Sequence, residues 1–166
     1  MTAQLHPATE SCLEALQWLA TRQRFTHILD IGCGSGLLSV VSAGLWQPSQ
    51  VLATDIAPQA VIDTGTLSQA HGLDHCIKAI RSDGFNHALI ASQAPYDLII
   101  CNLLAEPITQ WAPQMKAHIK PQGICLLSGI LAWLAPPLEE AYRQLGFDNI
   151  HTIHRSPWVT YVMRAS

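Results

Sequence analysis

The sequence predicts a three-layer α/β fold: a mostly parallel sheet, helices on both faces, and an antiparallel hairpin strand at the carboxy end. Three observations carry that prediction. Apolar runs rich in β-branched residues alternate with helix-period segments through most of the chain. Each run is joined to the following helix by a short link, and right-handed crossovers then distribute the helices over both faces. The final segment breaks the alternation, since it reads as two strands with no helix between them.

In chain order, "PATESCLEALQWLAT" sets Cys12, Leu13, Leu16 and Leu19 at helical spacing, and Ser11 with Glu14 matches a capping box. A helix therefore opens the chain. Strands follow at "FTHILDI" from Phe25, "QVLATD" from Gln50, "CIKAIR" from Cys76, "YDLIICN" from Tyr96 and "GICLLS" from Gly123. Helices are expected near Gly36, Pro58, Phe85 and Leu104, and from about Leu131 to Leu145. The closing "FDNIHTIHRSPWVTYVMR" is a hairpin turning around Ser156 and Pro157. No repeat, low-complexity tract or linker interrupts the chain, and 166 residues with 49% hydrophobic content suit one domain with a full core.

Composition excludes several functions. The net charge is -3 and charged residues make up 13% of the chain, against roughly 25% in ordinary soluble proteins. No basic run marks a nucleic-acid face, so no nucleic acid is expected as partner. An apolar, weakly charged chain points instead to a surface covered by a partner, such as a second copy of itself in a homodimer. No segment offers the 18 or so apolar residues of a membrane span, and the start "MTAQLHPATE" lacks the pattern of a secretory leader. Five separated cysteines without a CxxC pair read as reduced, buried thiols, which places the chain in the cytoplasm. The five tryptophans are expected as core or interface anchors. No metal is expected: Gly72 should end the helix between His71 and His75, and His151 and His154 face opposite sides of a strand.

The chemistry sits in "LDIGCGSGLLS", where Gly32, Gly34 and Gly36 follow the first strand. Glycines at a strand-to-helix turn supply positive φ and let a ligand reach the backbone, while the helix that follows presents free N–H groups. Dinucleotide folds use G-x-G-x-x-G here, but this loop has G-x-G-x-G with Leu37 where the third dinucleotide glycine would stand. A smaller anion than pyrophosphate, such as an amino-acid carboxylate, is favoured. Asp55, ending the second strand in "LATDIAP" beside Ile56, suits two ribose hydroxyls. Asp83, ending the third in "RSDGF", suits the exocyclic amine of adenine or, alternatively, simple turn chemistry. Glycine loop, ribose acid and adenine acid describe an adenosyl ligand without phosphate, and S-adenosyl-L-methionine fits it. Asp30 either contacts that ligand or pins the loop. Cys33 and Ser35 read as small loop fillers rather than reactive groups, with Cys33 counted among the cofactor-binding residues. Asn102, at the carboxyl end of the fourth strand, orients an amino group of cofactor or acceptor, or caps the next helix. Glu106, the one acidic residue of that loop, is either a solvated first-turn glutamate or an attraction for a cationic lysine.

Three stretches add a family resemblance: "HPATESCLEALQWL" from His6, "DIGCGSGLLSVVSAG" from Asp30, and "CNLLAEPITQWAP" from Cys101 with "PQGICLLSGIL" behind it. With "SPWV" near the end, they resemble the class I methyltransferases, and within them the PrmA-type family that methylates amino groups of a large-subunit ribosomal protein. The resemblance implies a Rossmann-like sheet over 1–166, with residues 1–22 as a helical segment covering the cofactor and 25–166 as the core. It implies cofactor contacts at Thr9, Gly32, Asp55 and Asn102 and S-adenosylhomocysteine as product, while the place of Asn102 at the end of the fourth strand makes it the expected catalytic residue. The sequence departs from the family pattern at Ala8, where the first of two threonines is expected, and it has no counterpart to the family's separate docking domain. The acceptor is thus a protein amine, a ribosomal protein among them, or a smaller amine. Methylation of RNA or an unrelated small molecule, and cofactor binding without catalysis, are the competing expectations.

Overall fold

The computed structural model describes residues 4–166. These residues form a seven-stranded sheet in the order β3-β2-β1-β4-β5-β7-β6. The strands are β1 (His27–Ile31), β2 (Gln50–Asp55), β3 (Ile77–Arg81), β4 (Tyr96–Asn102), β5 (Ile119–Leu131), β6 (Phe147–Arg155) and β7 (Trp158–Ala165). The first five run parallel, and β7 inserts antiparallel between β5 and β6. Pairing antiparallel to β7 turns β6 back to the common direction, so only one strand of the closing hairpin opposes the rest.

The helices are α1 (Pro7–Ala20), α2 (Leu37–Leu45), α3 (Pro58–Ala70), α4 (Ala88–Gln93), α5 (Ala105–Gln110), α6 (Ala112–His118) and α7 (Ala135–Gln144). They divide by face. Cys12, Leu16 and Leu19 of α1 and Leu38, Val40 and Ala43 of α2 pack with Ile28, Leu98, Ile100, Ile124 and Leu126. On the other face Ile90 of α4, Ile108 of α5, Met115 of α6 and Leu138 of α7 pack with Leu29, Ile99, Cys101, Cys125 and Leu127. Consecutive strand residues alternate between the two clusters, as the period-2 geometry of a strand requires. All five cysteines are buried as free thiols.

Several expectations need correcting. Ser11 does not cap α1; it is buried inside the helix, because Pro7 is pre-organised for a first helical position and the helix starts there. The cap is His6, whose Nδ1 accepts from Ala8 N at 3.1 Å. The helix expected near Leu104 is two helices, interrupted at Trp111 where Pro113 stands near the start of α6. Strand β5 begins four residues before "GICLLS", passing through Gln122 at φ 65. The segment expected from Leu131 starts as a 3-10 turn, Ala132–Leu134, before α7. Trp46 is buried in the core, as expected of one tryptophan anchor, and Trp133 is 67% exposed, a position that leaves the interface expectation open.

Candidate functional site

β1 leads to β2 and β3 on one side of the sheet while β4 and β5 lie on the other, so the strand order reverses between β1 and β4. Open α/β sheets bind ligands at that reversal, outside the carboxyl ends of the strands. Gly32, Asp55, Ile56 and Asp83 line one cavity there, and Thr9 and Asn102 line the adjoining one. Gly32 N and Cys33 N donate to Thr54 O at 2.8 and 2.9 Å, which ties the glycine loop to the end of β2. Gly32, Gly34 and Gly36 all have positive φ, and two of them are packed as well. A Cβ on Gly36 would stand 2.8 Å from Thr64, whose hydroxyl donates to Gly34 O, so α3 supports the loop from below. A Cβ on Gly32 would meet the Leu103 side chain at 2.8 Å. At Gly34 nothing lies within 4 Å, and that part of the loop faces open space.

Asp55 closes the loop from the other side. Its Oδ2 accepts from Gly34 N at 3.0 Å and its Oδ1 from Ala57 N at 2.9 Å. Each carboxylate oxygen carries further lone pairs, so two acceptors remain for hydroxyls of a ligand. Beside Asp55 lies a cavity bounded by Ile56, Asp83, Gly84, Leu103 and Trp111. Trp111 lies against the turn at Gly84, where a Cβ would come within 2.7 Å of the indole. Asp83 and Ile56 are exposed at its rim. Thr54 Oγ1 is buried there with no partner among the described residues.

Asp30 takes no place in that cavity. It is buried behind the loop, where its Oδ2 accepts from Ser39 Oγ at 2.7 Å. Burial raises its pKa to about 6, helped by the nearby Asp55 charge and opposed by the Ser39 bonds. Cys33 turns its side chain into the core against Thr64, and burial pushes the thiol up to about 12. It stays a protonated thiol at neutral pH, so only its backbone faces the loop.

A second cavity of about 320 Å³ adjoins the first across Leu103, which lines both. His6, Thr9, Asn102, Gly129 and Trp158 complete its walls. Asn102 Nδ2 donates to Thr9 Oγ1 at 3.3 Å, joining the end of β4 to the first turn of α1. Gly129, at φ 84, lets the chain pass: a Cβ there would stand 2.3 Å from Leu103 O and 3.3 Å from Asn102 Oδ1. Ser128 Oγ donates to Ala8 O at 3.1 Å and shares a 2.6 Å hydrogen bond with Thr160, which holds α1 over β5 and β7. His6 packs edge-on against Trp158 with ring centroids 4.8 Å apart. Among the described residues no three His, Cys, Asp or Glu side chains are placed to hold a metal.

Thr54, Thr64, Leu103, Trp111, Ser128 and Gly129 escape a sequence reading of the site. Leu103, Ser128 and Gly129 sit inside "NLLAEP" and "LSGIL", motifs that mark a family without disclosing each side chain's task.

The family model for ribosomal protein L11 methyltransferase (PrmA) matches residues 3–166. The chain belongs to the PrmA family. The ribosomal protein L11 methyltransferase of Brucella suis is 36% identical over 154 residues, covering 93% of this chain and 54% of the relative. That of Mesorhizobium japonicum is 37% identical over 155 residues, covering 93% and 53%. The chain thus spans about half the length of the curated PrmA relatives it matches. Among solved structures, a ribosomal protein L11 methylase from Lactobacillus delbrueckii subsp. bulgaricus shares the fold at TM-score 0.85 and 24% identity, covering 98% of this chain and 81% of that one. An RNA methyltransferase from Salinibacter ruber, solved with S-adenosyl-L-homocysteine, shares it at TM-score 0.70 and 13% identity, covering 98% and 93%.

Proposed function

We propose that this chain is a methyl-transferring domain that uses S-adenosyl-L-methionine to methylate an amino group of a protein, a ribosomal protein in the first instance. Family membership over residues 3–166 is the observation that supports this most. The residues also suit the cofactor. The open backbone at Gly34 and the uncapped amino end of α2 behind it favour a carboxylate, and Asp55 keeps free lone pairs for two hydroxyls. The Thr54 hydroxyl, buried with no partner among the described residues, and the apolar walls Ile56 and Trp111 match a planar base whose amine turns to Asp83. Thr9, Asp30, Gly32, Cys33, Gly34, Gly36, Asp55, Ile56, Asp83 and Asn102 are the proposed cofactor set, Asp30 acting through the loop and Cys33 through its backbone. Of the expected covering segment 1–22, residues 4–22 are proposed to cover the site and 25–166 to form the core, residues 1–3 lying outside the described residues.

When bound, the cofactor supplies an electrophilic methyl group on a sulfonium. The protein's task is to hold a neutral amine in line with that bond, since orientation and desolvation supply most of such an acceleration. Asn102 is the proposed catalytic residue. With one Nδ2 hydrogen directed to Thr9, the amide is turned so that its Oδ1 can accept from an amine N–H. The apolar surroundings of Leu103, Leu104 and Trp158 disfavour a charged amine and so favour loss of its proton to solvent. No helix among the described residues is long and apolar enough to cross a membrane, and we place the reaction in the cytoplasm.

The test is calorimetry with S-adenosylhomocysteine and NAD, followed by single-turnover transfer of labelled methyl to the purified ribosomal protein. Micromolar binding of S-adenosylhomocysteine and label in the ribosomal protein are expected. Binding of NAD alone would remove the reading.

A further inference from the structure

Past the Asn102 cavity the surface stays apolar. Leu104 closes that cavity and is 65% exposed; the next residue, Ala105, begins a groove of about 400 Å³ between α5 and α7. Leu134, Pro137 and Leu138 form its far wall, and Trp133, 67% exposed, stands beside Leu134. Large apolar side chains exposed in one place mark an interaction surface. Within the groove lies one charge, Glu106. It accepts from Gln110 Nε2 at 3.3 Å, forms no ion pair among the described residues, and faces no basic lining residue.

We infer that the groove between α5 and α7 takes an apolar segment of the protein acceptor that carries a second cationic side chain next to the reacting amine. This rests on the reading of Asn102 as the methyl-transfer end. Continuity gives the direction, because an acceptor whose amine stands at Asn102 runs over Leu104 into the groove. Charge gives the chemistry. An apolar segment laid over Glu106 would strand a carboxylate away from water, which costs more than the apolar contact returns unless a cation meets it. Trp133 supplies the kind of large, rigid anchor that carries binding energy at protein interfaces. Lysine or arginine beside the modified residue is therefore selected, and an acidic neighbour is rejected.

The test uses two capped apolar heptapeptides with a central lysine, one with a second lysine two positions on and one with norleucine there. Each is titrated by calorimetry into wild-type protein, Glu106→Gln and Trp133→Ser, with and without S-adenosylhomocysteine. The dilysine peptide is expected to bind wild type about fivefold tighter than the norleucine peptide, the scale of a partly screened ion pair. Glu106→Gln should erase that difference and Trp133→Ser weaken both peptides, with S-adenosylhomocysteine affinity equal in all three proteins. Equal affinity of the two peptides for wild type, or binding of neither, overturns the inference. So does a concentration-dependent dimer that Trp133→Ser abolishes, since a second copy would then own the groove. Failure of S-adenosylhomocysteine to bind while the peptides discriminate removes the proposed function and leaves the groove standing.

Discussion

Asn102 and Thr9 are hydrogen-bonded at 3.3 Å although 93 positions separate them in the chain. One carries the amide proposed to receive the amine, and the other fixes which end of that amide faces outward. Thr9→Val keeps the shape and removes the acceptor, freeing the amide to turn. It should lower single-turnover methyl transfer about tenfold, near 1.4 kcal/mol. Because the two residues act together, Thr9→Val in an Asn102→Ala background should cost nothing more. Additive losses would show that they act separately.

Asp55 and Asp83 should differ in what they contribute to cofactor binding. Asp55→Ala removes a charged acceptor and also releases Gly34 N and Ala57 N, so S-adenosylhomocysteine affinity should fall by about 2–3 kcal/mol. Asp83→Ala, at the exposed rim, should cost about 1 kcal/mol. Equal losses by calorimetry would reassign the ribose contact.

Two glycine substitutions separate ligand space from packing space. Gly34→Ala strains a φ of 54 but meets no atom within 4 Å, so stability should fall by only about 1–2 kcal/mol while S-adenosylhomocysteine binding falls further. Gly129→Ala drives a Cβ to 2.3 Å from Leu103 O and should destabilise the whole fold, by about 3 kcal/mol or more. Thermal unfolding and calorimetry on both variants would reveal the contrast, and a normally stable Gly129→Ala would refute the packing argument.

Asp30 makes stability depend on pH. Its folded pKa of about 6 lies above the ordinary 3.8, so the fold favours the protonated form. The associated stability is complete below pH 3.8, declines as pH rises to about 6, and is lost above it, a change on the order of 3 kcal/mol. Asp30→Asn retains an acceptor for Ser39 and cannot ionise. Urea unfolding should find it close to wild type at pH 4 and more stable at pH 8. A difference independent of pH would show that Asp30 is not protonated on folding.

Sequence and structure agree where physics is local. The strands show in the sequence because β-branched runs such as "HILDI" and "DLIIC" admit little else, and the place of Asp55 is legible because it ends a strand beside the glycine loop, where its carboxylate accepts from Gly34 N and Ala57 N. The misplaced cap shows the limit. Ser11 and Glu14 satisfy the capping pattern, yet Pro7 and His6 start the helix earlier, and only burial of Ser11 against the sheet decides between them. Strand β5 was masked at its start by Pro121, Gln122 and Gly123, which resemble a turn until Tyr96 pairs with Ile119. Ser128, Leu103 and Trp111 acquire their places through partners distant in the chain, and no spacing rule finds them.

Strand β7 is made after β6 and yet lies inside it, against β5. While a ribosome extends the chain, the outer edge of β5 waits with its amides and carbonyls bare until Trp158–Ala165 emerge. At about 5–20 residues per second, the interval from Leu131 to Trp158 lasts on the order of seconds. An open strand edge in that interval is a template for other nascent chains. A polypeptide stopped before residue 158 should sediment with the insoluble fraction of a lysate, whereas the full chain stays in the supernatant. The last strand thus acts as a closing clasp, and the methyltransferase fold exists only once synthesis has passed it.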